Sequence, residues 1–396
     1  MIEDLVGKIN YALDNALKSP FYMRKGIKKS INSLDDFRTI PPTTKEELRN
    51  SSPLDVLSVE MERIQEYHES FGTTGKPVPV WYSHKDMEVA AWQLFNKDLA
   101  IRQDDIVLMR FPYAISVPAH IFSKMFILNG ATIIPVSRGS VITPYPRVLE
   151  IMKRLKATIL TCNPSEAILL ADVAVRLGYD IQKDFHIRAL CLAGEMLSPK
   201  RRKRIEEIWH ATAYDYFGST ETANIAVSCR EGNLHCSEDF YLEVVDLKDE
   251  VTTIQEGKGL LLVTQLNNEA FPLIRYNTGD IVEVKKSHCP CGKLEDIMIH
   301  HGRINDMITI GNKSCSMREL QEALFQLEEL KDVNYWKLQC TQDLLKIYIE
   351  GETKNLKVPT LNLPFPSKVI FVDKQTLQNI DNLLVMTELR KANYFL

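Results

Sequence analysis

No stretch of this sequence approaches the roughly 20 consecutive apolar residues that a membrane-spanning helix requires. Its opening, MIEDLVGKINYALDN, carries acidic residues where a secretory leader would be basic. The expected location is the cytoplasm, with no membrane partner. A surplus of positive charge is also missing: 48 Lys and Arg against 52 Asp and Glu leave a formal net charge of -4. General attraction to phosphate backbones is therefore absent, nucleic acid is not expected as a partner, and any anion must be held by local geometry. Neither an internal repeat nor a low-complexity tract is present. The eight cysteines, in a long chain without a leader, are expected to stay reduced as buried thiols or metal ligands.

What is present is the composition of a globular protein. With 396 residues, 45% hydrophobic and 25% charged, the chain can bury one large core and a smaller second one. Residues 1 to about 60 alternate helical patterns with loop punctuation, and Thr44 followed by Glu47 in PPTTKEELR predicts a helix cap. From Val107 to Val136, two apolar runs flank the helix-like PAHIFSKMFILNG. The alternation repeats through ATILTCN, SEAILLADVAVRLG, IRALCLAGE, SPKRRKRIEEIWHA and TAYDYFGSTE. Such alternation predicts an α/β fold with parallel sheets flanked by helices, and ligands in loops at the carboxyl ends of the strands. FYLEVVDL, GLLLVTQL and DIVEVKK then predict a β-rich subdomain. After Gly302 short strands and the amphipathic RELQEALFQLEEL predict a small α+β domain, placing the domains at 1–302 and 303–396.

Ser70 to Pro77 reads SFGTTGKP. Its glycines let backbone amides approach an anion, Thr73 and Thr74 add hydroxyl donors, and Lys76 supplies a point charge. A kinase-like P-loop is disfavoured, because that motif needs four residues between its first glycine and the GK pair. Taken alone, the run also fits a mobile turn. Tyr216 to Thr222, YFGSTET, ends a strand in a glycine turn bearing a hydroxyl and a carboxylate, suited to a nucleotide and a magnesium ion; alone it also fits a solvated turn. RYNTGD, Arg275 to Asp280, ends in a carboxylate able to accept both ribose hydroxyls, and Arg303 in HGRINDM supplies a cation.

SFGTTGKP, AGE at 193–195, YFGSTE, RYNTGD and GRINDM occur in the order found in adenylate-forming enzymes, the superfamily of acyl-CoA synthetases, peptide-synthetase adenylation domains and luciferases. With SPFY, LDDF and PPTTKEELR at its beginning, the chain resembles the phenylacetate-CoA ligase branch over essentially its whole length. The resemblance implies a ligase that uses ATP and Mg²⁺ to join a carboxylic acid, aryl or small, to AMP. The acyl group then passes to a thiol acceptor, coenzyme A or a carrier protein. It implies that Gly72, Thr73, Thr74, Gly75 and Lys76 hold the β- and γ-phosphates, that Thr220 faces the α-phosphate, and that Glu221 holds Mg²⁺. Ala193, Gly194 and Glu195 would line the adenine slot beside the Phe217–Gly218–Ser219 strand end. Phe217 stands where the family usually has tyrosine, and Asp280 and Arg303 would contact the ribose. The C-terminal domain would be mobile, swinging about GRINDM, although Asn305 occupies the usual position of the hinge aspartate and Asp306 is its neighbour.

Phe111, Tyr113 and Ser116 are candidates for the acid pocket, though aromatics near a strand end also serve as core. Cys229, His235, Cys289 and Cys291 offer three thiolates and one imidazole, a closed structural Zn²⁺ set; Cys236 is the spare, pointing oppositely to its strand neighbour. The family's C-terminal glycine-lysine turn is absent: one matching of ELRKA places Leu383 at the lysine position, another places Lys391 there. That departure leaves two other readings open, an adenylate donor to a carrier protein or amine, and a non-catalytic nucleotide-binding relative. A monomer or a homodimer fits equally.

Overall fold

The computed structural model describes residues 2–70, 75–286, 289–327, 330, 333–351 and 361–384. They group into two compact units: Met1–Ala100, Pro112–Leu128 and Tyr216–His300 in one, and Ile101–Phe111, Asn129–Asp215 and His301–Leu396 in the other.

The second unit holds the parallel sheet that the alternation predicts. Its strands run Thr132–Pro135, Ile106–Met109, Ile159–Cys162, Ala189–Ala193, followed by the first half of Thr212–Ser219. Ile159–Cys162 is buried at every residue, as a strand covered on both faces must be. The helices Tyr145–Arg154, Pro164–Arg176 and Pro199–Trp209 each carry proline in the first turn, where the missing N–H costs nothing. Val148, Leu149, Leu170, Ile205 and Trp209 from these helices pack with Leu108, Leu160, Leu190 and Leu192 of the strands.

One charge is enclosed within this core. Glu166 is fully buried, paired with Arg110 at 2.7 Å and Arg138 at 3.0 Å, and accepts from the Tyr145 hydroxyl at 2.8 Å. Burial would raise its pKa, but the two guanidinium ions outweigh that and hold it below the usual carboxylate range.

The same unit includes the predicted small α+β module. It comprises the hairpin Ile308–Ile310 with Lys313–Cys315, the helix Met317–Phe325, and a sheet of Trp336–Cys340, Leu345–Glu350 and Ser367–Val372. Leu320, Leu324, Leu338, Ile347 and Ile349 form its own core, and Ser316 with Glu319 closes a capping box on the helix.

The first unit is the β-rich one. Phe240–Val245, Gly259–Gln265, Tyr276–Lys285, the first half of Ile297–Arg303, Leu234–Cys236, Ala223–Ser228 and the second half of Thr212–Ser219 are successive neighbours. Its N-terminal helices include Lys45–Asn50, where Thr44 and Glu47 form the predicted capping box. A two-stranded hairpin, Ile64–Glu69 with Pro79–Ser83, precedes the helix His84–Gln93. No helix among the described residues is long and apolar enough to cross a membrane.

Candidate active site

The candidate site of the first unit is built around the turn that joins Thr212–Ser219 to Ala223–Ser228. The strand does not stop before its glycine as the motif suggests; it runs through Gly218 and Ser219 and reverses at Thr220–Thr222. Gly218 is required there, since a Cβ would lie 1.9 Å from the carbonyl oxygen of Ala223. Ser219 N–H donates to Thr222 Oγ1 at 3.1 Å, and Thr222 N–H donates back to Ser219 Oγ at 3.3 Å. This tight closure presents Thr220 and buries Glu221, which is 2% exposed.

Glu221 is not alone. Lys45 Nζ lies 2.8 Å from its Oε1, and Tyr276 O–H donates to that oxygen at 3.3 Å. Burial would raise the Glu221 pKa, yet the Lys45 ammonium overcomes burial and keeps it below its ordinary value. Lys45 opens the helix Lys45–Asn50, and its approach is fixed by the preceding residues. Thr43 N–H donates to Arg275 O at 2.9 Å, Asn277 N–H donates to Thr43 O at 2.9 Å, and the Thr43 hydroxyl donates to Ile274 O at 2.8 Å. Arg275 is itself a buried anchor, bonded to Glu243 at 3.0 Å and to Arg38 O at 2.7 Å.

The glycine-threonine segment is tied to the same place. Ser70 N–H donates to Val78 O at 3.1 Å, and Val78 N–H donates to Ser70 Oγ at 2.9 Å, closing the base of a hairpin loop. Gly72, Thr73 and Thr74 lie outside the described residues, while Gly75 and Lys76 are exposed. Six residues past Lys76, Tyr82 O–H donates to Thr220 O at 2.7 Å. The strand that leaves the loop is thus bonded to the turn that carries Glu221.

Asp280 lies four residues beyond Tyr276 on the same strand, 7% exposed, and accepts from His300 Nε2 at 3.1 Å. The His300 ring lies 4.6 Å from that of Phe217, 8% exposed, between centroids. Asp280, His300 and Phe217 therefore form one group. Lys45, Tyr82, Tyr276 and His300 are the residues that sequence reasoning missed. Lys45 was legible only as the first residue of a capped helix, and nothing in its spacing links it to Glu221.

Ala193, Gly194, Glu195 and Arg303 belong to the other unit. Asn163 Nδ2 donates to Ala193 O at 2.8 Å, and a Cβ on Gly194 would meet that nitrogen at 2.6 Å. The Glu195 carboxylate is turned back onto the helix Pro164–Arg176, accepting from Ser165 N–H at 3.0 Å and from its hydroxyl. Arg303 is exposed. Of the acid-pocket candidates, Phe111 is 2% exposed in that unit. In the first unit Ser116 is 1% exposed and spends its hydroxyl on Pro112 O at 3.1 Å, and Tyr113 exchanges a hydrogen bond with Ser123 at 2.7 Å. Leu383 is buried in the helix Ile380–Leu383, and Lys391 lies outside the described residues.

Cys229, His235, Cys289 and Cys291 converge, with all ligand atoms within 4.8 Å of one another. Cys229 and Cys289 sulfurs are 3.7 Å apart and Cys291 Sγ is 3.4 Å from His235 Nε2. Tetrahedral zinc with bonds of ~2.3 Å to sulfur separates its ligands by about 3.8 Å, so the donor set and spacing fit that ion. Cys236 packs instead with Phe240 and Ile225, and burial pushes its thiol up to about 12.

Residues 70–245 match the family model described as AMP-binding enzyme. The chain is 27% identical over 371 residues to phenylacetate-coenzyme A ligase of Escherichia coli, covering 88% of this chain and 82% of that protein. It is 29% identical over 330 residues to the phenylacetate-coenzyme A ligase of Thermus thermophilus, covering 78% and 72%. A crystal structure of 2-hydroxyisobutyryl-CoA ligase with 2-HIB-AMP, in the postadenylation state, superposes with a TM-score of 0.84 at 21% identity, over 100% of this chain and 89% of that one. That likeness establishes the fold.

Proposed function

We propose that the chain is an adenylate-forming enzyme of the phenylacetate-CoA ligase-like branch, whose residues activate an organic acid with ATP and pass the acyl group to coenzyme A. A carboxylate oxygen of the acid attacks the α-phosphorus in line, pyrophosphate leaves, and the product is an acyl adenylate. The thiolate of coenzyme A then attacks the acyl carbonyl and AMP departs. The observation that carries this reading is the joining of the loop base at Ser70 and Val78, through Tyr82, to the turn that buries Glu221 beside Lys45 and Tyr276.

In this reading Gly72, Thr73, Thr74, Gly75 and Lys76 cradle the outer phosphates, and Thr220 donates to the α-phosphate. Glu221 would hold a magnesium ion, which would supply positive charge beside the departing pyrophosphate. Lys45 keeps Glu221 ionised so that it is ready for the ion, and Tyr276 orients it. Asp280, oriented by His300, takes the ribose hydroxyls, and Phe217 supplies the aromatic face for the base. Cys229, His235, Cys289 and Cys291 hold one structural zinc ion.

Incubating the protein with ATP, Mg²⁺, coenzyme A and a panel of aryl and short alkyl acids tests the overall reaction, with mass spectrometry of the thioester and AMP as the readout. One or more acids should give acyl-CoA and AMP in equal amounts. AMP formed with no thioester for any acid would replace coenzyme A with another acceptor, and no AMP at all would remove the catalytic reading.

A further inference from the structure

A second cluster of ligand-type side chains lies in the first unit, at the foot of the glycine-threonine loop. Glu66 and His68 sit on the strand Ile64–Glu69, and His120 sits on the helix Pro118–Leu128. One ligand atom from each lies within 4.8 Å of the others. The side chains are 24%, 3% and 29% exposed, so the group is shielded with one side open.

The hydrogen bonds decide what this group can be. His68 Nδ1 faces the carbonyl oxygen of Ile115 at 3.3 Å, and His120 Nε2 faces that of Tyr113 at 2.9 Å. A carbonyl oxygen only accepts, so both of these outer nitrogens carry the proton. The inner nitrogens, His68 Nε2 and His120 Nδ1, then both turn to one oxygen, Glu66 Oε2, at 2.9 and 2.8 Å. In neutral imidazoles those inner atoms are lone pairs. Three electron-rich atoms thus meet at a point that requires a cation. One proton satisfies one imidazole and leaves the other lone pair against the carboxylate. Two protons make two imidazolium rings whose centroids are 5.0 Å apart, leaving a net positive charge in a shielded place.

We propose that Glu66, His68 and His120 bind a divalent transition-metal ion of the zinc or cobalt type, a site separate from the cysteine cluster. Two imidazoles and a carboxylate are a donor set such ions favour. Their outer N–H groups already rest on backbone carbonyls, the arrangement that orients metal-bound histidines. The ion would fasten the strand Ile64–Glu69 to the helix Pro118–Leu128. Ile115 is a β-branched residue at φ 56°, a costly backbone conformation, and its carbonyl accepts from Glu69 N–H at 2.9 Å as well as from His68. Metal binding would therefore fix residues 113–116 and the strand that enters the loop at Ser70 together.

Cobalt titration of the full-length protein, first stripped with a chelator, tests this. Thiolate–cobalt charge-transfer absorption marks the cysteine cluster, whereas a Glu-His-His site gives only weak d–d bands and shifted imidazole resonances. The expected result is one equivalent without charge transfer, lost or weakened at least tenfold in Glu66→Gln and His120→Asn and retained in Cys289→Ser. The proposal is overturned if the wild-type protein takes up no charge-transfer-free equivalent. It is likewise overturned if that equivalent survives in both variants, or if nitrogen NMR finds both rings doubly protonated at neutral pH with metal present. The wild-type stoichiometry decides even where a variant does not fold.

Discussion

Replacing Lys45 by methionine keeps the aliphatic stem and removes the ammonium 2.8 Å from Glu221, whose side chain is 1% exposed while that of Lys45 is 29% exposed. An opposite charge this near lowers a carboxylate pKa by about 1–3 units, and each unit is about 1.4 kcal/mol. Solvent at Lys45 favours the lower part of that span, so the pair stabilises the ionised carboxylate by about 1.4–3 kcal/mol. In the variant burial acts unopposed and Glu221 takes up a proton at higher pH. The sign follows from the lowered folded-state pKa. Its stabilising contribution is present above the unfolded value of ~4.3 and is lost as pH falls through the folded value. At neutral pH the variant should therefore be about 1–3 kcal/mol less stable by urea denaturation. A protonated carboxyl does not hold magnesium, so the acid limb of kcat/KM for ATP should move up by about 1–2 pH units. Lys45→Arg should recover most of both losses. A Lys45→Met protein with the wild-type acid limb and a stability within about 0.5 kcal/mol of wild type would refute the role given to this pair.

Three further outcomes are expected. Glu166→Ala leaves Arg110 and Arg138 buried without their shared counterion and should cost about 3–5 kcal/mol in denaturant unfolding. Because the folded pKa of Glu166 is lowered, its contribution in the wild type should fade only as pH drops below the unfolded value of ~4.3. Gly218→Ala forces a Cβ against Ala223 O; thioester formation should fall at least about 100-fold, given that misplacement of ~1 Å has that effect, while the circular dichroism of the protein is largely kept. Metal analysis should find about one zinc per chain less in Cys289→Ser than in the wild type, with a lowered Tm; a difference of less than about half an equivalent would reject the cysteine ligand set.

Much of the fold was readable because its signals are local. Ile159–Cys162 and Ala189–Ala193 are unbroken apolar runs, and the helices between them start at proline or at a hydroxyl cap such as Ser198. The cysteine cluster was readable because thiols and imidazole at knuckle spacing have few other uses in one place. The electrostatics of the site were not readable. Lys45 meets Glu221 only because Thr43 is bonded to Arg275 and Asn277, a pairing set by tertiary contacts far apart in sequence. Arg275, within a motif that draws attention to its aspartate, proves to be a buried strut against Glu243. Glu195 likewise turns its carboxylate to a helix start, which the motif AGE does not disclose. His68 and His120 gave no signal, because their common partner Glu66 becomes visible only when the strand and helix pack together.

The proposed chemistry begins in a pocket where a carboxylate displaces pyrophosphate from the α-phosphorus of ATP. Exchange of labelled pyrophosphate into ATP, with Mg²⁺ and without coenzyme A, isolates that step. Exchange should appear only when a suitable acid is present and should vanish in Glu221→Gln. Failure to exchange with every acid of the panel by a protein that also fails to bind ATP would rule out such a pocket.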